Sequence, residues 1–224
     1  MTLDIKICGL KTEDAVAAAL EGGASHLGFI FFEKSPRHLS VQLASELRQR
    51  AEGRALVVAV TVNADNATLD AIVEGMKPDI LQLHGEESPE RVSDLKARYG
   101  LPVVKAFAIR DAEDLRLLTS YRGIADRFLL DAKPPVGADL PGGNGIAFDW
   151  SILTSLDADV DYMLSGGLNA GNIGVALQMV RPRGIDISSG VESAPGQKDP
   201  ERIRAFFHAA RAAIEHEERH EQAD

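Results

Sequence analysis

The chain has 224 residues, 45% hydrophobic and 26% charged, a composition ordinary for a soluble domain large enough to bury a core without disulfide staples. Its formal net charge of −10 disfavours a nucleic-acid surface, which needs clustered Lys and Arg, and requires any anionic ligand to be met by backbone N–H groups and a few local cations. The single cysteine excludes an intrachain disulfide, no basic-then-apolar leader opens the chain, and no apolar run reaches the roughly 18–20 residues that span a bilayer, so the expectation is a cytoplasmic protein that stays out of membranes.

In chain order, short apolar runs alternate with amphipathic segments. Residues 3–7 read as a strand and 11–20 as a helix, then 26–31 as a strand and 41–51 as a helix with Ser40 as its N-cap. The nearly continuous apolar run 55–62 suits a strand buried on both faces. Residues 66–76 read as a helix, 79–83 as a strand, and 88–99 as a helix with Ser88 as cap and Pro89 at its first position. The second half repeats the rhythm: strand 102–107, helix 111–121 capped by Asp111, strand 127–130, a long irregular stretch, and short helix 149–155. Strand 162–164, helix 169–180, strand 184–187 and helix 200–214 follow. Eight βα units with no composition break between them predict a parallel α/β sheet closed as a single (β/α)8 TIM barrel over residues 1–215. Residues 216–224 are almost wholly polar and read as a tail, either a frayed helix end or disordered.

In such a barrel the chemistry sits at the C-terminal ends of the strands. The loops after strands seven and eight carry Ser165-Gly166-Gly167 and Ser188-Ser189-Gly190. Glycines let the backbone approach an anion closely, and these are the two loops that commonly hold phosphate in barrels of this type. Gly166, Gly167, Ser188, Ser189 and Gly190 are therefore candidate phosphate-binding residues, through their backbone N–H groups. The plain alternative, that they are turn residues only, weakens because both loops fall where the fold places a phosphate site.

Cys8 ends strand one beside Gly9. A free cysteine is most often a small buried hydrophobe, but at this rim a thiol can serve as nucleophile or proton acceptor. Asp131 follows the apolar run 128–130, where a carboxylate is costly unless it is solvated or paired; it is a cap, a partner of Lys133, or a proton donor with a raised pKa. Strands one and six both open on the same barrel mouth. An acid and a base facing one bound sugar is what an aldose–ketose isomerisation requires.

Seven stretches in order carry a family resemblance: 6–10 (KICGL), 28–37 (GFIFFEKSPR), 81–85 (LQLHG), 130–133 (LDAK), 141–145 with 148–150 (PGGNG, FDW), 164–168 (LSGGL) and 186–192 (DISSGVE). Together they resemble phosphoribosylanthranilate isomerases, from strand one into helix eight. The resemblance implies an Amadori rearrangement of N-(5′-phosphoribosyl)anthranilate to 1-(2-carboxyphenylamino)-1-deoxyribulose 5-phosphate, the third step from chorismate in tryptophan biosynthesis. It implies Cys8 as the general base at C2′, Asp131 as the general acid at the ring oxygen, and Arg37 as the fork for the anthranilate carboxylate. It implies neither metal nor organic cofactor. His84 is a candidate either for the anthranilate pocket or for a packed, hydrogen-bonded place at the rim, and Gln82 is a candidate for the barrel interior. The chain departs from the family pattern at Asn144, where threonine is usual, and at Thr61, where an aromatic is common; Asn144 receives no role. The stretch 133–145 reads as a lid.

Two other readings compete. Similar histidine-pathway barrels use an aspartate where this chain has Cys8, and a metal-dependent epimerase would need converging His and Asp ligands that the sequence does not offer. A non-catalytic phosphate-binding barrel would have no use for both Cys8 and Asp131. A phosphorylated small molecule is thus the expected ligand, and the sequence leaves a homo-oligomer or contacts with other pathway enzymes undetermined.

Overall fold

The computed structural model describes residues 3–51, 53–133, 142–143, 145 and 147–221, and for 217–221 the backbone only. Eight parallel strands close on themselves in sequence order: β1 (Asp4–Cys8), β2 (His26–Phe31), β3 (Leu56–Thr61), β4 (Ile80–Leu83), β5 (Val103–Ile109), β6 (Arg127–Ala132), β7 (Tyr162–Leu164) and β8 (Gly184–Ile187). Closure comes from β8 pairing back onto β1, with Asp4 opposite Gly184 and Ile7 opposite Ile187. The crossovers are helices α1 (Glu13–Gly22), α2 (Val41–Ala51), α3 (Asn66–Met76), α4 (Pro89–Tyr99), α5 (Ile173–Val180) and α6 (Pro200–Glu221). After β5 and β6 the described crossovers are 3₁₀ segments, Asp114–Tyr121 and Trp150–Ser155. A hairpin of β9 (Glu192–Ala194) and β10 (Gln197–Lys198) follows β8. Among the described residues, no helix is long and apolar enough to cross a membrane.

Period-two alternation divides the core. One face of each strand packs against the helices, with Ile5, Ile7, Leu27, Phe29, Leu81, Leu130 and Ile187 in that layer. The other face fills the barrel with Cys8, Val58, Val60, Ile80, Val104, Ala106 and Leu129. On α6, Phe206 and Phe207 are buried, and each contributes on the order of 1.5–3 kcal/mol by leaving water. Gly22 makes room for this packing, because a Cβ there would run into the Phe207 ring. Side-chain caps start the helices where the sequence places them: Ser40 accepts from the Leu43 N–H at 3.2 Å and Ser88 from the Arg91 N–H at 3.3 Å.

Several boundaries shift by one or two residues from the sequence reading, and four further differences have a physical cause or bear on the site. Strand β6 runs to Ala132, so Asp131 lies within it rather than after it. The segment expected as helix 111–121 is 3₁₀ from Asp114, because its buried leucines, Leu115 and Leu118, are spaced by three and Asp111 and Asp114 cap their own turn. Helix α5 starts at Ile173 rather than at 169, since Asn169 and Asn172 bond the preceding loop instead. Helix α6 continues to Glu221, past the expected end at 214, through a Glu-rich stretch of good helix formers. Most of the expected lid, residues 134–141 and Asn144, lies outside the described residues, as do 222–224.

Candidate active site

Alternation also brings the polar residues together. Cys8 on β1, His84 just past β4, Asp131 on β6, Asp186 on β8 and the loops after β7 and β8 all line one cavity at the C-terminal mouth. Ile30, Phe32, Val60 and Val62 supply its apolar wall.

Cys8 is 5% exposed and lines this cavity. Two residues earlier on the same strand face, Lys6 forms an ion pair with Asp186 at 2.9 Å, the two being 1% and 4% exposed. The partner strand makes this possible. Gly28 stands opposite Cys8 in register, and a Cβ there would meet Cys8 Sγ at 3.0 Å and Lys6 Cε at 3.1 Å. Burial pushes the Cys8 thiol up; Lys6 opposes that rise, Asp186 adds to it, and Lys198 opposes it. Burial pulls Lys6 down, but Asp186 and Cys8 outweigh it and hold the ammonium above its ordinary value.

Across the mouth, Asp131 Oδ2 lies 3.5 Å from His84 Nε2, and its Oδ1 accepts from the Ala132 N–H at 2.9 Å. Gln82 Nε2 is 3.0 Å from His84 Nδ1. Lys133 does not pair with Asp131; it pairs with Asp114 at 2.9 Å. Gly142 covers this pair, and a Cβ on it would collide with Asp131 Oδ2 and come 2.7 Å from His84 Nε2. The strand ends that present His84 are tied down by Glu87, which accepts from the Asn63 and Gly85 N–H groups and is itself paired with buried Lys105 at 3.2 Å.

The two glycine loops meet backbone to backbone. A Cβ on Gly190 would strike the Leu168 carbonyl oxygen, and one on Gly166, whose φ is +87°, would lie 2.6 Å from Ala132 N. Asn172 and Asn169 donate to the Gly167 carbonyl at 2.9 and 3.2 Å and so occupy that oxygen. Among the described residues, the backbone N–H groups of Gly166, Gly167, Ser189 and Gly190 donate to no protein acceptor. Ser188 uses its hydroxyl on the Cys8 carbonyl, 3.1 Å away, tying the β8 loop to the end of β1.

Arg37 is 4% exposed and lines the mouth. Its Nε and Nη2 hold Glu192 in a two-pronged pair at 2.8 and 2.9 Å, and Nη2 also donates to the Gly143 carbonyl at 3.2 Å. Lys198 completes the group at 2.5 Å from Glu192 Oε1. Burial raises the Glu192 carboxyl, but Arg37 and Lys198 outweigh it and hold it below the ordinary carboxylate value.

Of the site residues read from the sequence, Cys8, Arg37, His84, Asp131, Gly166, Gly167, Ser188 and Ser189 line this cavity, whereas Gly190 packs behind it against the Leu168 carbonyl and Gln82 lines a separate pocket with Lys6 and His26. Sequence reasoning missed the partners: Lys6, Asp186, Glu192 and Lys198. For the first pair a signal existed, since a lone Lys in the first strand and a lone Asp in the last are of opposite sign on strands that closure makes neighbours. For Glu192 and Lys198 there was none, because their meeting depends on a hairpin too short to read from periodicity.

A closed parallel barrel that gathers a thiol, a carboxyl and unoccupied amide donors at its C-terminal mouth defines a (β/α)8 enzyme working on a small anionic substrate. The family model for N-(5′-phosphoribosyl)anthranilate (PRA) isomerase matches residues 5–209. The N-(5′-phosphoribosyl)anthranilate isomerase of Chelativorans sp. (strain BNC1) is 71% identical over 213 residues, covering 95% of this chain and 98% of that one. That of Mesorhizobium japonicum is 67% identical over 213 residues, covering 95% and 97%. The crystal structure of the phosphoribosyl anthranilate isomerase from Thermotoga maritima superposes with a TM-score of 0.84 at 33% identity, over 94% of this chain and 100% of that one. A second phosphoribosyl anthranilate isomerase, solved with reduced 1-(o-carboxyphenylamino)-1-deoxyribulose 5-phosphate, gives 0.82 at 30% identity, over the same shares. The chain belongs to the phosphoribosylanthranilate isomerase family. Its activity is the isomerisation of N-(5′-phosphoribosyl)anthranilate in tryptophan biosynthesis.

Proposed function

We propose that Cys8 is the general base and Asp131 the general acid of this isomerisation, with the substrate phosphate on the amides of Gly166, Gly167, Ser188, Ser189 and Gly190 and the anthranilate carboxylate at Arg37. Asp131 gives its proton to the furanose ring oxygen as the C1′–O bond breaks, and the nitrogen lone pair forms the C1′=N Schiff base. Cys8 then takes the C2′ proton, and the electrons of that C–H bond become the double bond of the enolamine. Proton gain at C1′ and loss from the C2′ hydroxyl give the ketone product. His84 holds the Asp131 carboxyl on the sugar side. The enzyme is cytoplasmic on this reading, and its partner is a small phosphorylated molecule rather than nucleic acid or membrane.

The observation that carries the reading is that Cys8 and Asp131, from strands β1 and β6, line the same cavity as the two glycine loops. The test is a crystal structure of this enzyme soaked with the reduced product, the ligand of the relative described above. The phosphate is expected on the loops after β7 and β8, the carboxylate against Arg37, and the pentose chain between Cys8 and Asp131. A phosphate bound elsewhere would overturn the assignment.

A further inference from the structure

We infer that Glu192 and Lys198 are positioning residues for both ends of the substrate, a buried charged bridge that fixes the Arg37 fork on one side and backs the β8 anion loop on the other. The inference rests on the reading of Arg37 and residues 188–190 as anion subsites and adds what holds them.

The hairpin register sets Glu192 opposite Lys198. Glu192 Oε1 receives Lys198 Nζ at 2.5 Å and Arg37 Nε at 2.8 Å, while Oε2 receives Arg37 Nη2 at 2.9 Å and the Gly196 N–H at 3.2 Å. Lys198 Nζ also donates to the Ser188 carbonyl at 3.1 Å and approaches the Ser188 hydroxyl at 3.3 Å. The Ser188 hydroxyl in turn reaches the Cys8 carbonyl. One unbroken chain of polar contacts therefore runs from the carboxylate fork to the phosphate loop and the end of β1.

Charge counting gives the bridge its function. Two cations, Arg37 and Lys198, share one carboxylate, and none of the three side chains is more than 5% exposed. Burial holds the Lys198 ammonium below its ordinary value despite Glu192, and an arriving anion favours its charged form. The chain as a whole carries −10, so its general field repels a phosphate and a carboxylate alike. The surplus lies directly behind a loop that otherwise offers backbone amides. Through the Ser188 carbonyl, Lys198 also pulls on the peptide that carries the Ser189 N–H, which in a trans peptide points away from that carbonyl and so away from Lys198.

A clip that only stabilises the hairpin would weaken both ligands equally when either residue is changed, whereas the bridge predicts opposite patterns. Removing the Lys198 charge leaves Arg37 and Glu192 neutral as a pair, so phosphate is held less tightly. Removing the Glu192 charge leaves two cations but frees the Arg37 fork, so carboxylate recognition suffers while phosphate binding does not.

Inhibition of turnover by inorganic phosphate and by anthranilate, measured in the wild type, Lys198→Gln and Glu192→Gln, separates these cases. Lys198→Gln is expected to raise the phosphate inhibition constant about tenfold, the size of one charge-assisted hydrogen bond. Glu192→Gln is expected to raise the anthranilate constant about tenfold without raising that for phosphate. Lys198→Arg, which keeps the charge should glutamine disturb folding, is expected to keep phosphate inhibition within about threefold of wild type. A phosphate constant unchanged in folded Lys198→Gln, an equal loss of both inhibitors in both variants, or a Lys198→Arg enzyme that has lost phosphate inhibition overturns the inference. A wild-type enzyme that neither compound inhibits sinks the subsite reading itself, and this inference with it.

Discussion

His84 turns its Nε2 toward Asp131 Oδ2 at 3.5 Å, while its Nδ1 is engaged by Gln82. The ring therefore supports the carboxyl proposed as the acid. His84→Ala removes that support and leaves the acid in place. Steady-state kinetics should show kcat down about tenfold with KM little changed, a smaller loss than removing the acid itself. An unchanged kcat would show that Asp131 needs no support from His84.

The pairing of Arg37 with Glu192 sets what its loss does. In Arg37→Ala, Glu192 keeps Lys198 as a partner, so no buried carboxylate is stranded and folding should survive. KM should rise by about tenfold or more while kcat changes less, because a charged pair to the substrate is lost in ground and transition states alike. An unchanged KM would place the substrate carboxylate elsewhere.

Lys6 and Asp186 behave differently, since neither has a second charged partner at ion-pair distance among the described residues. Lys6→Ala leaves a carboxylate buried and uncompensated, which should cost about 3–5 kcal/mol of unfolding free energy in urea titrations. Replacing both, as Lys6→Met with Asp186→Leu, should recover most of that loss even though it disturbs the site. A double variant as unstable as the single one would contradict this account of the pair.

The legible part of the molecule was the part set by repetition. Alternating apolar runs gave every strand of the barrel, and β2, β7 and β8 match the expected limits. The rim residues were legible because strand ends in a closed parallel barrel converge whatever their distance along the chain. Local rules failed where side chains competed for the backbone. Asn169 and Asn172 took the Gly167 carbonyl and delayed α5, and the leucine spacing of 114–121 favoured a tighter helix. Charge partners inside the barrel were hidden because sequence patterning reports which face is buried, not which neighbour neutralises a charge there.

The buried thiol gives a pH prediction. Burial raises the Cys8 pKa, and the lysines only partly offset it, so in the ligand-free enzyme the thiolate fraction grows only at pH above the ordinary thiol value. The rate of alkylation by iodoacetamide, which follows the thiolate, should have its midpoint in that alkaline range and vanish in Cys8→Ala. A midpoint at or below the ordinary value would mean that Lys6 and Lys198 outweigh burial.

The central claim is that a thiol and a carboxyl on opposite sides of the mouth move protons on one sugar, and single-turnover kinetics of Cys8→Ala and Asp131→Asn test it most directly. Each folded variant, still binding the reduced product, should convert N-(5′-phosphoribosyl)anthranilate at least about a hundredfold more slowly than wild type. A folded variant of either kind that turns over at the wild-type rate would contradict the claim.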